Sequence, residues 1–213
     1  MLRVNVGCGA SPTAGWVNLD SSPTVLLGAL PLLPGALARL GLLGQEQVRF
    51  ARSSRESGVR YGVATRLPFA DGAVEVLYSS HMFEHLPLPD AARFLAEARR
   101  VLAPGGTLRL VVPDLRLLAR GYLESGDADR FMEATNLAAA PAPRLLSKVA
   151  RLVLGGHQHA WMYDAASLCA RVTAAGFSDA AAVPAGQTRI EGPAPLDLRE
   201  RADESIYVEA TQL

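Results

Sequence analysis

Three sets of residues in this chain could do chemistry. Val4-Asn5-Val6-Gly7-Cys8-Gly9-Ala10 leads a short apolar run into a glycine turn, and Trp16-Val17-Asn18-Leu19-Asp20 ends a second run on an acid eleven residues past Gly9. Glycine lets a ligand approach the backbone at the carboxyl end of a strand. An acid ending the next strand can take ribose hydroxyls, so the pair suits an adenosine-type cofactor. The four histidines, His81, His85, His157 and His159, form the second set. Imidazole titrates near neutral pH and can act as a general base. His81 follows the apolar run Val74–Ser79 and so falls at a sheet end, where ligands bind. His159 suits substrate contact or base work, and His85, beside Glu84, suits fixing its loop. The spacing of His157 and His159 is that of a metal pair, but no paired carboxylates accompany them locally, so no metal is expected. Asp114, closing the run Thr107–Val112, is a third candidate for substrate or base work.

These residues need a scaffold, and the middle of the chain supplies one. Val74 to Ser79 reads as a buried strand after the Ala70-Asp71-Gly72 turn. Pro89 and Asp90 open a helix whose apolar positions Phe94, Leu95, Ala98, Val101 and Leu102 keep the 3.6-residue period. Pro104-Gly105-Gly106 stops it, and Thr107–Val112 is the next strand. Strand, helix and strand at this spacing make a right-handed crossover in a parallel sheet. A further helix is expected from Asp164 to Ala175, then weaker strands near Ala180–Val183 and Ser205–Ala210.

Composition bounds the answer. A chain of 213 residues, 49% apolar and 20% charged, is sized for one α/β domain with a proper core. Formal net charge is zero, so no basic field recruits nucleic acid. Lys148 is the single lysine among 21 basic residues, which fits GC-rich bacterial coding. Cys8 and Cys169 form neither a disulfide framework nor a zinc pattern, and the N-terminus lacks the apolar stretch of a signal peptide, so a cytoplasmic location is expected. Residues 24–43 are rich in Leu, Ala and Gly, but Pro31, Pro34 and Arg39 interrupt them, so no membrane span is expected there. Two short helical pieces packed on the core, a lid over cofactor or substrate, and a membrane-surface patch are the alternatives.

Five ordered motifs carry a resemblance. Gly7-Cys8-Gly9, Gly15-Trp16-Val17-Asn18-Leu19-Asp20, Leu67-Pro68-Phe69-Ala70-Asp71-Gly72, Ser80-His81-Met82-Phe83-Glu84-His85-Leu86 and Glu97-Ala98-Arg99-Arg100-Val101-Leu102-Ala103-Pro104-Gly105-Gly106 resemble class I S-adenosylmethionine-dependent methyltransferases, in particular the small bacterial type 11 group. His159–Asp164 and Glu204–Ala210 extend the likeness towards the C-terminus. The resemblance implies a Rossmann-like doubly wound, mostly parallel seven-stranded sheet in a single domain over 1–213. Its insertions would be a possible lid at 24–44 and a helical substrate cap at 115–158. It also implies S-adenosylmethionine as cofactor. Val6, Gly7, Cys8 and Gly9 would then underlie the amino-acid portion and ribose, Asp20 would take the ribose hydroxyls, and Ala64 and Thr65 would line the adenine. Ser80 and His81 would lie near the methionine portion and the methyl.

Two features depart from the family pattern. Ala10 to Gly15, with Pro12 inside, leaves room for only a turn where a full crossover helix is usual. Gly62-Val63-Ala64 stands where relatives carry an adenine-binding Asp. Methyl transfer itself is an in-line displacement from a sulfonium, so the protein mainly aligns and desolvates the acceptor, and a hydroxyl acceptor also benefits from a base. The expected acceptor is a small molecule, an oxygen of a glycan precursor or natural product, handled by a monomer or homodimer. Helices are expected in the cap at Leu115–Glu124, Asp129–Ala140 and Arg144–Leu154, the last with Arg144, Lys148 and Arg151 opposite its apolar face. That basic face suits solvent, lipid headgroups or an acidic substrate. A methyltransferase fold repurposed as a cyclase or binding subunit is the alternative. A nucleotide-dependent oxidoreductase fits less well, since Ser11-Pro12 replaces the third glycine of its fingerprint.

Overall fold

Val4, Val6, Leu77, Leu108, Leu110 and Val112 are all but inaccessible to solvent, as strands must be when helices cover both faces of a sheet. The computed structural model describes residues 1–137 and 158–213. Its seven strands are β1 (Leu2–Val6), β2 (Val17–Asp20), β3 (Arg60–Tyr61), β4 (Val74–Ser80), β5 (Leu102–Pro113), β6 (Phe177–Val183) and β7 (Ser205–Gln212). They lie in the order β3-β2-β1-β4-β5-β7-β6. The first five are mutually parallel, and β7 runs antiparallel to both β5 and β6. The doubly wound, mostly parallel seven-stranded sheet expected from the sequence is the one observed.

The helices are α1 (Pro23–Gly28), α2 (Leu33–Arg39), α3 (Gln45–Glu56), α4 (Leu88–Val101), α5 (Leu115–Ser125), α6 (Ala128–Thr135) and α7 (Ala165–Ala174). The periodic residues of α4, Phe94, Leu95, Ala98 and Val101, join Leu168 and Val172 of α7 in the main core. Asp164 caps α7 by accepting the Ser167 amide at 2.7 Å. α4 ends at Val101, and the chain turns directly into strand at Leu102, five residues before the expected start at Thr107. Pro104-Gly105-Gly106 thus lies within β5, at the register irregularity against β4.

Residues 24–43 do form two short helices, and α1 packs so closely on α3 that a Cβ at Gly28 would meet the Ala51 carbonyl oxygen. Among the described residues no helix is long and apolar enough to cross a membrane. α5 runs one residue past its expected end, whereas α6 stops at Thr135, short of Ala140. Asn136 there adopts φ 50°, a left-handed cap that asparagine tolerates. The helix expected over 144–154 and His157 lie outside the described residues.

The abbreviated link between β1 and β2 is held by buried polar groups instead of a helix. Asn5 Nδ2 donates to Thr13 Oγ1 at 3.1 Å, the Thr13 amide donates to Asn18 Oδ1 at 2.8 Å, and Asn18 Nδ2 donates to the Thr13 carbonyl at 2.9 Å. All three residues are buried. In a low-dielectric interior these bonds are strong enough to hold the link in one conformation.

Candidate active site

The strand order reverses direction at β1, which pairs with β2 on one side and β4 on the other. In open α/β sheets ligands bind at such a switch point, beyond the carboxyl ends of the strands. β1 ends in Gly7-Cys8-Gly9, β2 in Asp20 and β4 in Ser80, so the sheet gathers most of the expected residues at one edge.

The glycine turn and the acid form one unit. Amides of Gly7 and Cys8 donate to the Leu19 carbonyl at 2.8 and 3.1 Å, and the Gly9 amide donates to Asp20 Oδ2 at 3.0 Å. Asp20 Oδ1 accepts the Ser22 amide at 2.7 Å. Each carboxylate oxygen has a second lone pair, so two backbone donors leave acceptor capacity for a diol. Gly7 and Gly9 have φ of 71° and 49°, values that side chains rarely adopt. Their surroundings differ. A Cβ on Gly7 would run into Met82, whereas one on Gly9 would meet nothing within 4 Å. The open approach is over Gly9.

Cys8 turns away from this opening. Its side chain is buried with Val25, Val59 and Phe50, and burial beside Asp20 pushes its thiol up to about 12. Cys8 therefore ties α1 to the glycine turn as a neutral, apolar-like group. Val6 is core, and its carbonyl accepts Ser79 Oγ at 2.9 Å. Ala64 and Thr65 form the tip of a tight turn bracketed by a Val63–Arg66 bridge, with Ala64 buried and Thr65 half-buried. Ser80 Oγ is buried at the end of β4, with the Tyr78 hydroxyl as its side-chain neighbour.

His81 holds φ 48°, uncommon for a residue with a Cβ, and both ring nitrogens are engaged. Nδ1 lies 2.7 Å from an Arg201 guanidinium nitrogen, and Nε2 lies 2.8 Å from Ser205 Oγ. A guanidinium can only donate, so Nδ1 accepts and the proton sits on Nε2. Arg201 is itself paired with Glu204.

Beyond His81 the chain makes a single 3-10 turn, Phe83–His85, pinned by Phe83 against Phe94 and Tyr163 at ring-centroid distances of 5.8 and 5.2 Å. This turn presents Glu84, only 1% exposed, whose carboxylate oxygens have no hydrogen-bond partner among the described residues. The Gln158–Trp161 segment returns beside it, with the amides of Ala160 and Trp161 donating to the Glu84 carbonyl at 2.8 and 3.1 Å. Three histidines thereby surround one oxygen: Glu84 Oε1 is 3.4 Å from His81 Nδ1, 4.0 Å from His85 Nε2 and 3.9 Å from His159 Nε2. Burial, partly offset by the Glu84 charge, holds the His159 imidazolium below the usual histidine range, so the ring is neutral at neutral pH. Its Nδ1 faces the Thr135 carbonyl at 2.8 Å, which places the proton there and leaves the Nε2 lone pair towards Glu84.

Asp114 lies at the same sheet edge, but its carboxylate caps α5, accepting the Arg116 amide at 2.9 Å. A hollow of about 380 Å³ beside it is lined by Arg116, Leu117, Arg120 and Leu123. Sequence reasoning passed over Glu84 as a loop residue. Its burial with three histidines depends on a contact across more than seventy residues, since the His85–Gln158 hydrogen bond spans 73.

The methyltransferase-domain model of type 11 matches residues 4–110, half of the chain, and the chain belongs to that family. An uncharacterized 37.1 kDa protein in transposon TN4556 of Streptomyces fradiae is 34% identical over 119 residues. That match covers 53% of this chain and 34% of the relative, so the likeness spans about a third of that protein's length. Solved structures share the fold. A possible histamine N-methyltransferase from Thermotoga maritima, titled a SAM-dependent methyltransferase, superposes with a TM-score of 0.53 at 15% identity, covering 100% of this chain and 82% of that one. A SAM-dependent methyltransferase from Methanosarcina mazei gives 0.51 at 18% identity over 99% and 91%. The fold is therefore the class I S-adenosylmethionine-dependent methyltransferase fold.

Proposed function

We propose that the chain transfers a methyl group from S-adenosylmethionine to an oxygen of a small acceptor, of the glycan-precursor or natural-product class. The observation that carries this reading is the open Gly9 cradle joined to Asp20, placed at the β1–β4 switch point beside the histidine-lined end of β4. These residues fit the cofactor. Asp20 offers lone pairs to the ribose diol, Gly9 leaves room for the close approach, and Ser80 supplies a hydroxyl near the methionine portion. Ala64 and Thr65 would border the adenine through backbone and apolar contact, since Gly62 stands where an acid is usual.

The cofactor supplies an electrophilic methyl, and the chain supplies position and a proton acceptor. Of the expected bases, His159 has the free lone pair, at Nε2, on a ring that burial keeps neutral. His81 is held on both nitrogens and so shapes the β4 end and its tautomer. Asp114 serves as the cap of α5 at the acceptor side. In this reading the whole chain is one methyltransferase domain, residues 115–158 cap the acceptor, and residues 24–44 cover the short β1–β2 link. Two free thiols, Cys8 and Cys169, suit a reducing compartment.

Calorimetric titration with S-adenosylmethionine and S-adenosylhomocysteine tests the cofactor half. The wild-type chain is expected to bind both, and Asp20→Ala to weaken each by about tenfold to a hundredfold, the loss of a charge-assisted pair. Formation of S-adenosylhomocysteine with a panel of hydroxylated acceptors tests the other half. Absence of cofactor binding by the folded wild-type chain would overturn the reading.

A further inference from the structure

The geometry around Glu84 points to a divalent transition-metal site of the zinc type, and we propose that Glu84, His85 and His159 are its ligands. Both histidine rings are held from behind by a backbone carbonyl. His85 Nδ1 lies 2.9 Å from the Gln158 carbonyl, and His159 Nδ1 lies 2.8 Å from the Thr135 carbonyl. A carbonyl oxygen only accepts, so each ring holds a proton on Nδ1 and turns Nε2 the other way. Both Nε2 atoms face the same carboxylate oxygen, at 4.0 and 3.9 Å. Glu84 is 1% exposed, and neither of its carboxylate oxygens has a hydrogen-bond donor among the described residues.

Two imidazole nitrogens and a carboxylate oxygen therefore converge at separations too long for a direct hydrogen bond. Protons on Nε2 would not bridge gaps of this length, because N–H···O bonds close at about 2.7–3.2 Å. A metal ion would. Zinc binds imidazole nitrogen and carboxylate oxygen at roughly 2.0–2.2 Å, so neighbouring ligands in a tetrahedral site stand about 3.4 Å apart. One ligand atom from each of the three residues falls within a 4.8 Å cluster, so closing on an ion takes side-chain shifts of well under an ångström in each ligand.

The surroundings have the other features of a built site. Each histidine is oriented by a backbone carbonyl on its far nitrogen, the arrangement that fixes tautomer and ring plane in metal centres. The rings meet edge to face, 5.0 Å between centroids and 67° between planes. Phe83, beneath the turn, is fully buried and holds the backbone that carries two of the ligands. Two imidazoles and one carboxylate form a borderline-soft donor set that suits zinc, cobalt or iron over magnesium. Three protein ligands leave a fourth position open, as in metal sites that act on a substrate. That position would take an oxygen ligand, either water or an acceptor hydroxyl; with the ion bound the His159 Nε2 lone pair is committed to it, and the ion's pull on that hydroxyl would stand in for the base. The second use rests on the methyltransferase reading, whereas metal binding does not.

The test uses the purified full chain, stripped with a chelator and titrated with Co²⁺, whose visible absorption reports ligand number. One saturable equivalent is expected, displaced by Zn²⁺ and unaffected by Mg²⁺. Glu84→Gln, nearly isosteric, and His85→Ala, at the more exposed ligand, should each weaken Co²⁺ more than about tenfold with unchanged circular dichroism. Either of two results would overturn the site: no saturable Co²⁺ or Zn²⁺ binding by the folded wild-type chain, or binding that both variants retain. Titration of the same metal-free protein with S-adenosylmethionine tests the cofactor reading separately, so the two can fail independently.

Discussion

Glu209 and Glu84 are both sealed from solvent, at 0% and 1% exposure, and their surroundings are opposite. Glu209, in β7, stands directly across from Arg109 of β5 and meets its guanidinium at 2.5 Å. It also accepts Thr188 Oγ1 at 2.6 Å and the Arg189 amide at 2.8 Å. Arg109 in turn donates to the Gln187 carbonyl at 3.0 Å and lies over the Tyr207 ring. The Glu84 carboxylate has no hydrogen-bond donor among the described residues and faces three histidines. A buried charge that its own fold satisfies belongs to the architecture. One left without donors at the carboxyl end of a parallel strand marks a place where something else completes the set.

This contrast can be broken by measurement. The largest effect is expected where Glu209 meets its cation: Arg109→Ala leaves Glu209 buried without that partner and should cost about 3–5 kcal/mol in urea unfolding. Replacing both partners, Arg109→Met with Glu209→Leu, should recover most of that loss. A single variant losing under about 1 kcal/mol would end the architectural reading.

Glu97 offers an intermediate case, a carboxylate one-fifth exposed and held by both Arg100 and the Leu67 amide. Arg100, bonded to it at 2.8 Å through Nε and again through a terminal nitrogen, holds the Glu97 carboxyl below the usual carboxylate range, with the Leu67 amide helping. The folded pKa is depressed, so the stabilisation is present above about pH 4.3, the unfolded value, and is lost as pH falls through the lower folded value. Glu97→Gln should therefore cost roughly 1–2 kcal/mol at pH 7, with screening allowed for, and less at lower pH. A gap between wild type and variant that stays constant down to pH 3 would contradict this. The smallest effect is expected at Glu84: with no donors to lose, Glu84→Gln should leave the unfolding free energy of the metal-free chain unchanged or higher. A loss above about 2 kcal/mol would show that Glu84 is as architectural as Glu209.

The same contrast explains what the amino-acid order discloses. The β4–α4–β5 unit is plain because Val74, Val76 and Leu77 run consecutively enough, and Phe94, Leu95 and Ala98 periodically enough, to announce their partners. α3 gives no such signal, as only Ala51 and Ser54 of its twelve residues are buried. β3 is two exposed residues, extended only because Leu19 and Asp20 offer it an edge. The glycine turn and Asp20 were legible as a pair because they end adjacent strands. The Glu84 cluster was not, because His159 reaches it only after the chain has passed through α5, α6 and the residues beyond them. His157 and His159 appear in sequence without a carboxylate, and the carboxylate comes from another strand end.

The short link between β1 and β2 has a consequence for turnover. Asp20 is fixed by the Gly9 and Ser22 amides before any ligand arrives, so little ordering entropy remains to be lost on binding. Under the proposed reaction, however, the sugar it would grip is a part of the cofactor that methyl transfer leaves untouched. An anchor of that kind holds fresh and spent cofactor with equal strength and does nothing to eject the latter. The rate at such a site would follow the ratio of methylated to demethylated cofactor around it, more than the amount of either alone.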